Sequence, residues 1–240
     1  MTGVPSIHWL ERVSSTQDAA HRLAGKGAPD GTAVAAVEQT QGRGSRGREW
    51  VSPAGGLWMS VICRPAAVAA PHVLTIRVSL AIAALLSERS GRPIGIKWPN
   101  DLIVDDRKVG GVLAEARWVG DSMAWVVIGV GVNVTNPVPS ELRSAAVSLQ
   151  QLGVEESAPE LAGPVAAAVL RAARSRGRLD ARETASLAAR DWLRGRALSA
   201  PVPGIAAGID ADGGLRVHAT DGTQVVRSGS IVLASSTLHA

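Results

Sequence analysis

Four apolar runs crowd between Ile94 and Val134: Ile94 to Trp98, Leu102 to Val104, Val109 to Ala114 and Trp125 to Val134. They are short, rich in β-branched residues and separated by turn residues, so each reads as a strand. Gly56 to Cys63 reads as a further buried strand, and Thr32 to Val37 is another β-rich run. Strands in this number need a sheet, and a sheet needs a cover. The cover comes from four helical stretches. Ser14-Ser15-Thr16 opens the first before Ala19-Ala20, and Gly25 and Gly27 close it. In Pro71 to Glu88, Leu74, Val78, Ile82, Leu85 and Leu86 fall on one side, and Gly91-Arg92-Pro93 stops the helix. Leu161 to Ala173 and Ala185 to Leu193 supply the other two.

The pattern changes near Gly195. Short strands now alternate with turn signals at Val202-Pro203-Gly204, Asp210 to Gly214 and Asp221-Gly222, which indicate hairpins. The expected organisation is a main domain over residues 1–194 and a small β-barrel over residues 195–240. The barrel has too few residues for an independent core and is expected to dock. The one cysteine, Cys63, allows no internal disulfide and no cysteine metal cluster. Met1 to Ile7 has neither a charged leader nor a long apolar stretch, and no uninterrupted apolar run is long enough to span a bilayer. The expectation is a cytoplasmic protein with no membrane partner.

Charge narrows the chemistry. Lysine and arginine total 25, yet only three are lysines: Lys26, Lys97 and Lys108. Arginine offers a planar fork and lysine a compact point charge on a flexible stem, which suits a phosphate that changes geometry during a reaction. Two lysines about ten residues apart are therefore candidates for chemistry. The net charge of +4 fits an anionic partner such as a nucleotide phosphate without indicating DNA. Phe and Tyr are absent, so any stacking on a ring must come from the seven tryptophans.

Gln39-Thr40-Gln41-Gly42-Arg43-Gly44-Ser45-Arg46-Gly47-Arg48 combines three glycines with three arginines. It is either a backbone cradle for phosphate or a flexible basic surface loop, and it is neither a Walker loop nor a dinucleotide fingerprint. Trp50 follows, free to stack on a purine or to fill a core. Lys97-Trp98-Pro99-Asn100-Asp101 presents Asn100 and Asp101 at a strand end, as ligand contacts or as an ordinary turn. Lys108 precedes Gly110 and Gly111 at a second turn. Gly129-Val130-Gly131-Val132-Asn133 puts glycines on alternate residues of a strand, which leaves room over one face and brings Asn133 within reach. The five histidines are dispersed, and no side-chain metal cage is expected.

In this order the segments resemble the biotin protein ligase family. Ser15-Thr16, Gln39-Thr40 with the Gly-Arg loop, Gly55-Gly56-Leu57-Trp58, Lys97 to Asp101, Lys108 to Leu113, Gly129 to Asn133 and the hairpins from Ala207 to Gly222 carry the resemblance. It implies an α+β fold: a mixed sheet flanked by helices, related to class II aminoacyl-tRNA synthetases, followed by an SH3-like barrel. It implies biotin, ATP and Mg2+, the metal arriving with ATP, and two half-reactions. Biotinyl-5′-AMP and pyrophosphate form first; a lysine of a biotin carboxyl carrier domain then takes the biotin and AMP leaves. A homodimer is compatible with it and DNA is not a partner.

By the same resemblance Ser15, Thr16, Gln17 and Gln39 hold the biotin ring system, with Arg43, Gly44, Ser45, Gly110 and Gly111 ordering around it. Lys108 bridges the biotin carboxylate and the α-phosphate as the main catalytic residue. Arg43 and Asp101 assist, Asp101 by orienting or deprotonating the incoming lysine. Gly42, Arg46, Arg48, Trp50, Lys97, Asn100 and Asn133 serve the ATP and adenylate end, although Lys97 has the second reading of simply holding the Asn100-Asp101 turn. The family usually reads Gly-Arg-Gly-Arg in the loop, whereas this chain has Gly42-Arg43-Gly44-Ser45. The lost arginine implies a leakier adenylate. With Ser15-Thr16 so near the start, no winged-helix repressor domain is expected. The competing readings are a lipoate ligase or octanoyltransferase, a basic nucleic-acid-binding module, and a degenerate ligase that binds biotin without adenylating it.

Overall fold

The computed structural model describes residues 6–64 and 70–234, so the reading of the N-terminus before Ser6 lies outside them. A seven-stranded sheet forms the centre. Its strands are β1 (Ile7–Val13), β2 (Ala33–Gln39), β3 (Leu57–Cys63), β4 (Gly95–Lys97), β5 (Asp101–Val104), β6 (Arg107–Val119) and β7 (Ser122–Val132). They lie in the order β1-β2-β3-β7-β6-β5-β4; β1 pairs with β2 in parallel and every other pair is antiparallel. β1 was not legible in the sequence. Its run Ile-His-Trp-Leu-Glu-Arg-Val is half polar because it is an edge strand with much of its length exposed.

Alternation sorts the sheet into two faces. Val34, Ile62 and Val127 point to one face and join Ala19, Ala20 and Ala24 of α1 (Thr16–Gly25). Their neighbours Ala33, Ala35, Val61, Cys63, Val126 and Ile128 point to the other face, where α2 (Pro71–Ser90) and α3 (Ala158–Ala173) close the main core. With both faces covered, every residue of β3 is buried. A side chain such as Ile62 or Val127, fully buried there, contributes about 1.5–3 kcal/mol. α2 has the length and apolar composition of a membrane span, but it lies between sheet and helix and carries buried Arg77. Arg77 meets Glu183 at 2.6 Å and the carbonyls of Ser175, Gly177 and Arg178, which ties α2 to the start of α4 (Ala181–Arg190).

α4 starts earlier than the expected Ala185 and ends before the expected Leu193. Asp180 and Glu183 form a capping box that sets the start. Asp191 turns extended, and Trp192 N–H donates to the Ile96 carbonyl, so the chain leaves the helix to cover edge strand β4.

The C-terminal residues form a five-stranded antiparallel sheet from β8 (Ala197–Ala200), β9 (Gly204–Ile209), β10 (Leu215–Ala219), β11 (Gly222–Val226) and β12 (Val232–Leu233), in the order β11-β10-β9-β8-β12. Asp210 Oδ1 accepts from the N–H groups of Asp212 and Gly214 and shapes the β9–β10 turn. That turn meets the main sheet: Trp98 Nε1 donates to the Gly213 carbonyl, and Leu179 N–H donates to Ala211. Leu198, Ala206, Leu215, Val217 and Val226 are continuous with the main core.

Candidate active site

The pocket lies on the α1 face, just past the end of that helix's apolar contact. The register of β3 and β7 lays it out as a row of cross-strand pairs. Ile62 faces Val127 beneath α1, Ser60 faces Gly129, and Trp58 faces Gly131. β6 extends the row, with Gly111 opposite Gly131 and Leu113 opposite Gly129, and Asp101 of β5 pairs with Gly111. Moving along the row, the floor changes from apolar to polar to open.

The space above the two glycines is used by the chain itself. A Cβ on Gly129 would sit 2.8 Å from Gln17 Oε1, and one on Gly131 would sit 2.9 Å from the Trp50 ring. The room expected over Gly129 and Gly131 is therefore where Gln17 and Trp50 enter. Gly42 meets a similar demand, since a Cβ there would run into the Trp50 carbonyl and the Ser52 hydroxyl.

One end of the pocket is a hydrogen-bonded cluster at the N-terminus of α1. Ser15 caps the helix by accepting from Gln17 N–H. Gln39 Oε1 accepts from Thr16 N–H at 2.8 Å and from Thr16 Oγ1 at 3.0 Å, and Gln39 Nε2 donates to Ser52 Oγ at 2.9 Å. Ser60 Oγ donates to Gln17 Oε1 and lies 2.9 Å from Thr16 Oγ1, while Gln17 Nε2 donates to the Val127 carbonyl. Thr16 and Ser60 hold two hydroxyl hydrogens between them for three contacts, so one contact lacks a proton at any instant. Ser15, Thr16, Gln17 and Ser60 are buried.

The other end carries the charge. Lys108 Nζ lies 2.6 Å from Asp101 Oδ1 and 4.5 Å from the centre of the Trp50 ring, and its side chain is 28% exposed. Asp101 Oδ1 is buried, with the Lys108 ammonium as its partner among the described residues. The Trp50 indole N–H is buried with no acceptor among the described residues, and its ring packs edge-on to Trp58 at 6.3 Å. Such an orphan donor is costly unless something occupies it. Arg43, Gly44, Ser45 and Arg48 border this end. Arg48 folds back on Ser45, donating to its carbonyl at 3.4 Å and its hydroxyl at 3.3 Å.

Thirteen of the residues expected at the site line this one pocket: Ser15, Thr16, Gln17, Gln39, Arg43, Gly44, Ser45, Arg48, Trp50, Asn100, Asp101, Lys108 and Gly111. Five do not. Gly42 shapes the loop beneath Trp50. Gly110 packs against the Gly131 carbonyl. Asn133 is spent internally, donating to the Val147 carbonyl and accepting from Asn136. Arg46 adopts φ 60° and reaches Ser230 Oγ at 2.6 Å, out of the pocket. Lys97 lies over the Trp192 ring at 5.3 Å, while its carbonyl accepts from Asn100 N–H, an arrangement compatible with the turn-holding reading. Ser60, Trp58, Met59, Val112 and Leu113 line the pocket without having been assigned a site role. For Ser60 the signal was present as the one hydroxyl in the apolar run Leu57 to Cys63.

The family model described as "Biotin/lipoate A/B protein ligase family" matches residues 9–133, and the model described as "Biotin protein ligase C terminal domain" matches residues 195–234. The chain belongs to the biotin/lipoate protein ligase family. It is 35% identical to the bifunctional ligase/repressor BirA of Bacillus subtilis, over 92% of this chain and 72% of that one. It is 32% identical to the biotin–[acetyl-CoA-carboxylase] ligase of Mycobacterium tuberculosis, over 91% of this chain and 85% of that one. Among solved structures, the Aquifex aeolicus biotin protein ligase in complex with biotin and ATP matches with a TM-score of 0.81 at 27% identity, covering 95% of this chain and 98% of that one. The fold is accordingly α+β, a mixed helix-flanked sheet with a small SH3-like antiparallel unit after it.

Proposed function

We propose that this chain is an ATP-dependent biotin protein ligase: it joins biotin to AMP and passes the biotinyl group to a lysine of a carrier protein. The observation that carries this reading is the position of Lys108. Its ammonium group stands between a neutral hydrogen-bonding cluster and a loop rich in arginine. Biotin has the matching polarity, with a ureido ring at one end and a carboxylate at the other. The ureido oxygen can take the contested hydroxyl proton of the Thr16–Ser60 pair, and Gln39 and Gln17 offer amide groups to the ring.

A carboxylate and an α-phosphate repel each other. Lys108, with Arg43 and Arg48 at the rim, lowers that repulsion as the carboxylate oxygen attacks phosphorus and pyrophosphate departs. As substrate enters, Lys108 exchanges Asp101 for the substrate's anions, which leaves Asp101 free to orient or deprotonate the acceptor lysine. That lysine's amine then attacks the acyl carbon, forming the amide and releasing AMP. Trp50, with its unsatisfied N–H and its face beside Lys108, suits the adenine ring. Magnesium would enter on the triphosphate and neutralise its charge; Asp101 and Glu49 are the carboxylates of the pocket wall able to meet it. The carrier is a biotin carboxyl carrier domain, residues 1–194 and 195–240 are the two domains, and the ATP requirement fits the cytoplasm.

Pyrophosphate release with biotin and MgATP tests the assignment. The native chain should release it only when biotin is present and should not respond to lipoate. Lys108→Ala should lose about 10²–10³-fold in rate. Absence of biotin-dependent release from the native chain would refute the proposal.

A further inference from the structure

Arg43 borders the pocket, but its guanidinium is held from outside. One terminal nitrogen lies 2.7 Å from Asp18 Oδ1 and 3.2 Å from Glu115 Oε2. Asp18 stands in the first turn of α1 and Glu115 on β6, and neither belongs to the pocket wall. Register explains the meeting. Glu115 pairs with Val127 on the α1 face of the sheet, one step past Leu113–Gly129, so its carboxylate emerges beside α1.

Glu115 is itself backed. His21 Nε2 lies 3.5 Å from Glu115 Oε2, and Trp125 Nε1 donates to His21 Nδ1 at 3.0 Å. An indole nitrogen can only donate, so Nδ1 must be the unprotonated nitrogen and the imidazole hydrogen sits on Nε2, toward Glu115. The His21 contact first, and then the charge of Arg43, hold the Glu115 carboxyl below the usual carboxylate range against the opposing effect of burial. The result is a chain of contacts from Trp125 through His21 and Glu115 to Arg43, with Asp18 closing it from the other side.

Arg43 is also a backbone member of the loop. It bridges to Glu49 across the turn, while Trp50 N–H donates to the Gly42 carbonyl. Whatever fixes Arg43 therefore fixes the loop that borders the phosphate end.

We propose that Asp18 and Glu115 are positioning residues for Arg43, a two-carboxylate clasp backed by His21 and Trp125 that fastens the Gly42–Arg48 loop over the pocket. They touch no substrate; they set where the guanidinium stands when substrate arrives. The kinetic consequence rests on the ligase reading, and the mechanical one does not.

Trypsin reads the clasp directly in the full-length protein without substrate, because Arg43, Arg46 and Arg48 are its cleavage sites in the loop. Asp18→Asn and Glu115→Gln should each speed loop cleavage about threefold, and the double variant about tenfold, with the thermal midpoint unmoved. In an Arg43→Ala background, cut after Arg46 and Arg48, Glu115→Gln should add nothing. Unchanged cleavage in the single and double variants, or an additive effect in the Arg43→Ala background, would overturn the proposal. A fall in thermal midpoint that accounts for the extra cleavage would do the same. In the assay for biotin-dependent pyrophosphate release, Glu115→Gln should raise the KM for biotin severalfold with kcat less affected. A lower KM would also overturn it, since it would mean the carboxylates compete with the substrate for Arg43. A native chain with no biotin-dependent turnover removes the kinetic arm and refutes the ligase reading, while the proteolysis result stands by itself.

Discussion

The two ends of the pocket are built by opposite rules. At the α1 end the polar groups are buried and satisfied by one another: Ser15 caps the helix, Thr16 and Gln39 share two hydrogen bonds, and Ser60 and Gln17 complete the cluster. At the loop end the cations are partly exposed and occupied by the protein's own anions: Lys108 by Asp101, and Arg43 by Asp18 and Glu115. A neutral ring meeting a preformed cluster requires only that a hydroxyl hydrogen be re-aimed. Anions that must be brought together need a cation able to change partners; the partly exposed Lys108 can exchange Asp101 for them, while Arg43 stays held by its carboxylates. The same pocket is therefore rigid where it recognises and exchangeable where it reacts.

The comparison breaks most sharply on Lys108 and Thr16. Lys108→Ala should abolish most of the adenylation rate, by about 10²–10³-fold, and leave the affinity for the ring end nearly intact. Biotin binding measured by calorimetry without ATP checks the second half of that statement. Thr16→Val should do the reverse. It removes the hydroxyl shared by Gln39 and Ser60 in a buried cluster, which costs about 1–3 kcal/mol of stability. Thermal unfolding should show the loss, and biotin affinity should fall with it. If Thr16→Val lowered kcat alone, the division between recognising and reacting ends would be wrong.

A smaller effect belongs to Ser45. The family resemblance implies an arginine at this position, where the chain has serine. Arg46 is directed to Ser230, and Arg48 bends over Ser45 as the nearest cation. Ser45→Arg should restore a charge at the phosphate end and slow release of the free adenylate, by about threefold to tenfold. Quenched reactions lacking the carrier protein measure it, and equal release from both proteins would reject the idea. Labelling of unrelated lysines should fall in parallel.

Much of this site was legible because its chemistry is written in contiguous segments. Ser15-Thr16, Gln39, the Gly-Arg loop, Asn100-Asp101 and Lys108 each announce themselves by residue type, and the sheet brings them together. What the sequence withheld is what depends on register. Nothing along the chain says that Gly129 lies under Gln17, that Gly131 lies under Trp50, or that Glu115 emerges beside Asp18; these follow from pairing β3, β6 and β7. Arg46, Lys97 and Asn133 lie off the pocket wall for a related reason. Each sits within a site motif, but Arg46 turns left-handed, Lys97 finds the ring of Trp192, and Asn133 finds Asn136 and Val147. β1 and the start of α4 were missed because an exposed edge and an Asp180–Glu183 cap carry little apolar signal.

The smallest expected effect lies away from the pocket and tests whether its ionic behaviour is special. Asp191, where the chain leaves α4 to cover β4, accepts from Leu193 N–H through Oδ1, while Oδ2 is buried with no partner among the described residues. Burial raises its pKa, and the hydrogen bonds to Leu193 and Arg194 oppose that only in part. The sign follows from linkage. A carboxyl whose folded pKa lies above its unfolded value opposes folding once it is ionised, and the loss is recovered as pH falls through the raised pKa. Asp191→Asn keeps the acceptor and removes the charge, so at neutral pH the thermal midpoint should rise by about 1–2 °C. Midpoints for Asp191→Asn followed from pH 7 toward pH 4 should therefore converge on the native protein from above; a curve that runs parallel to the native one would show that this carboxyl is not coupled to folding.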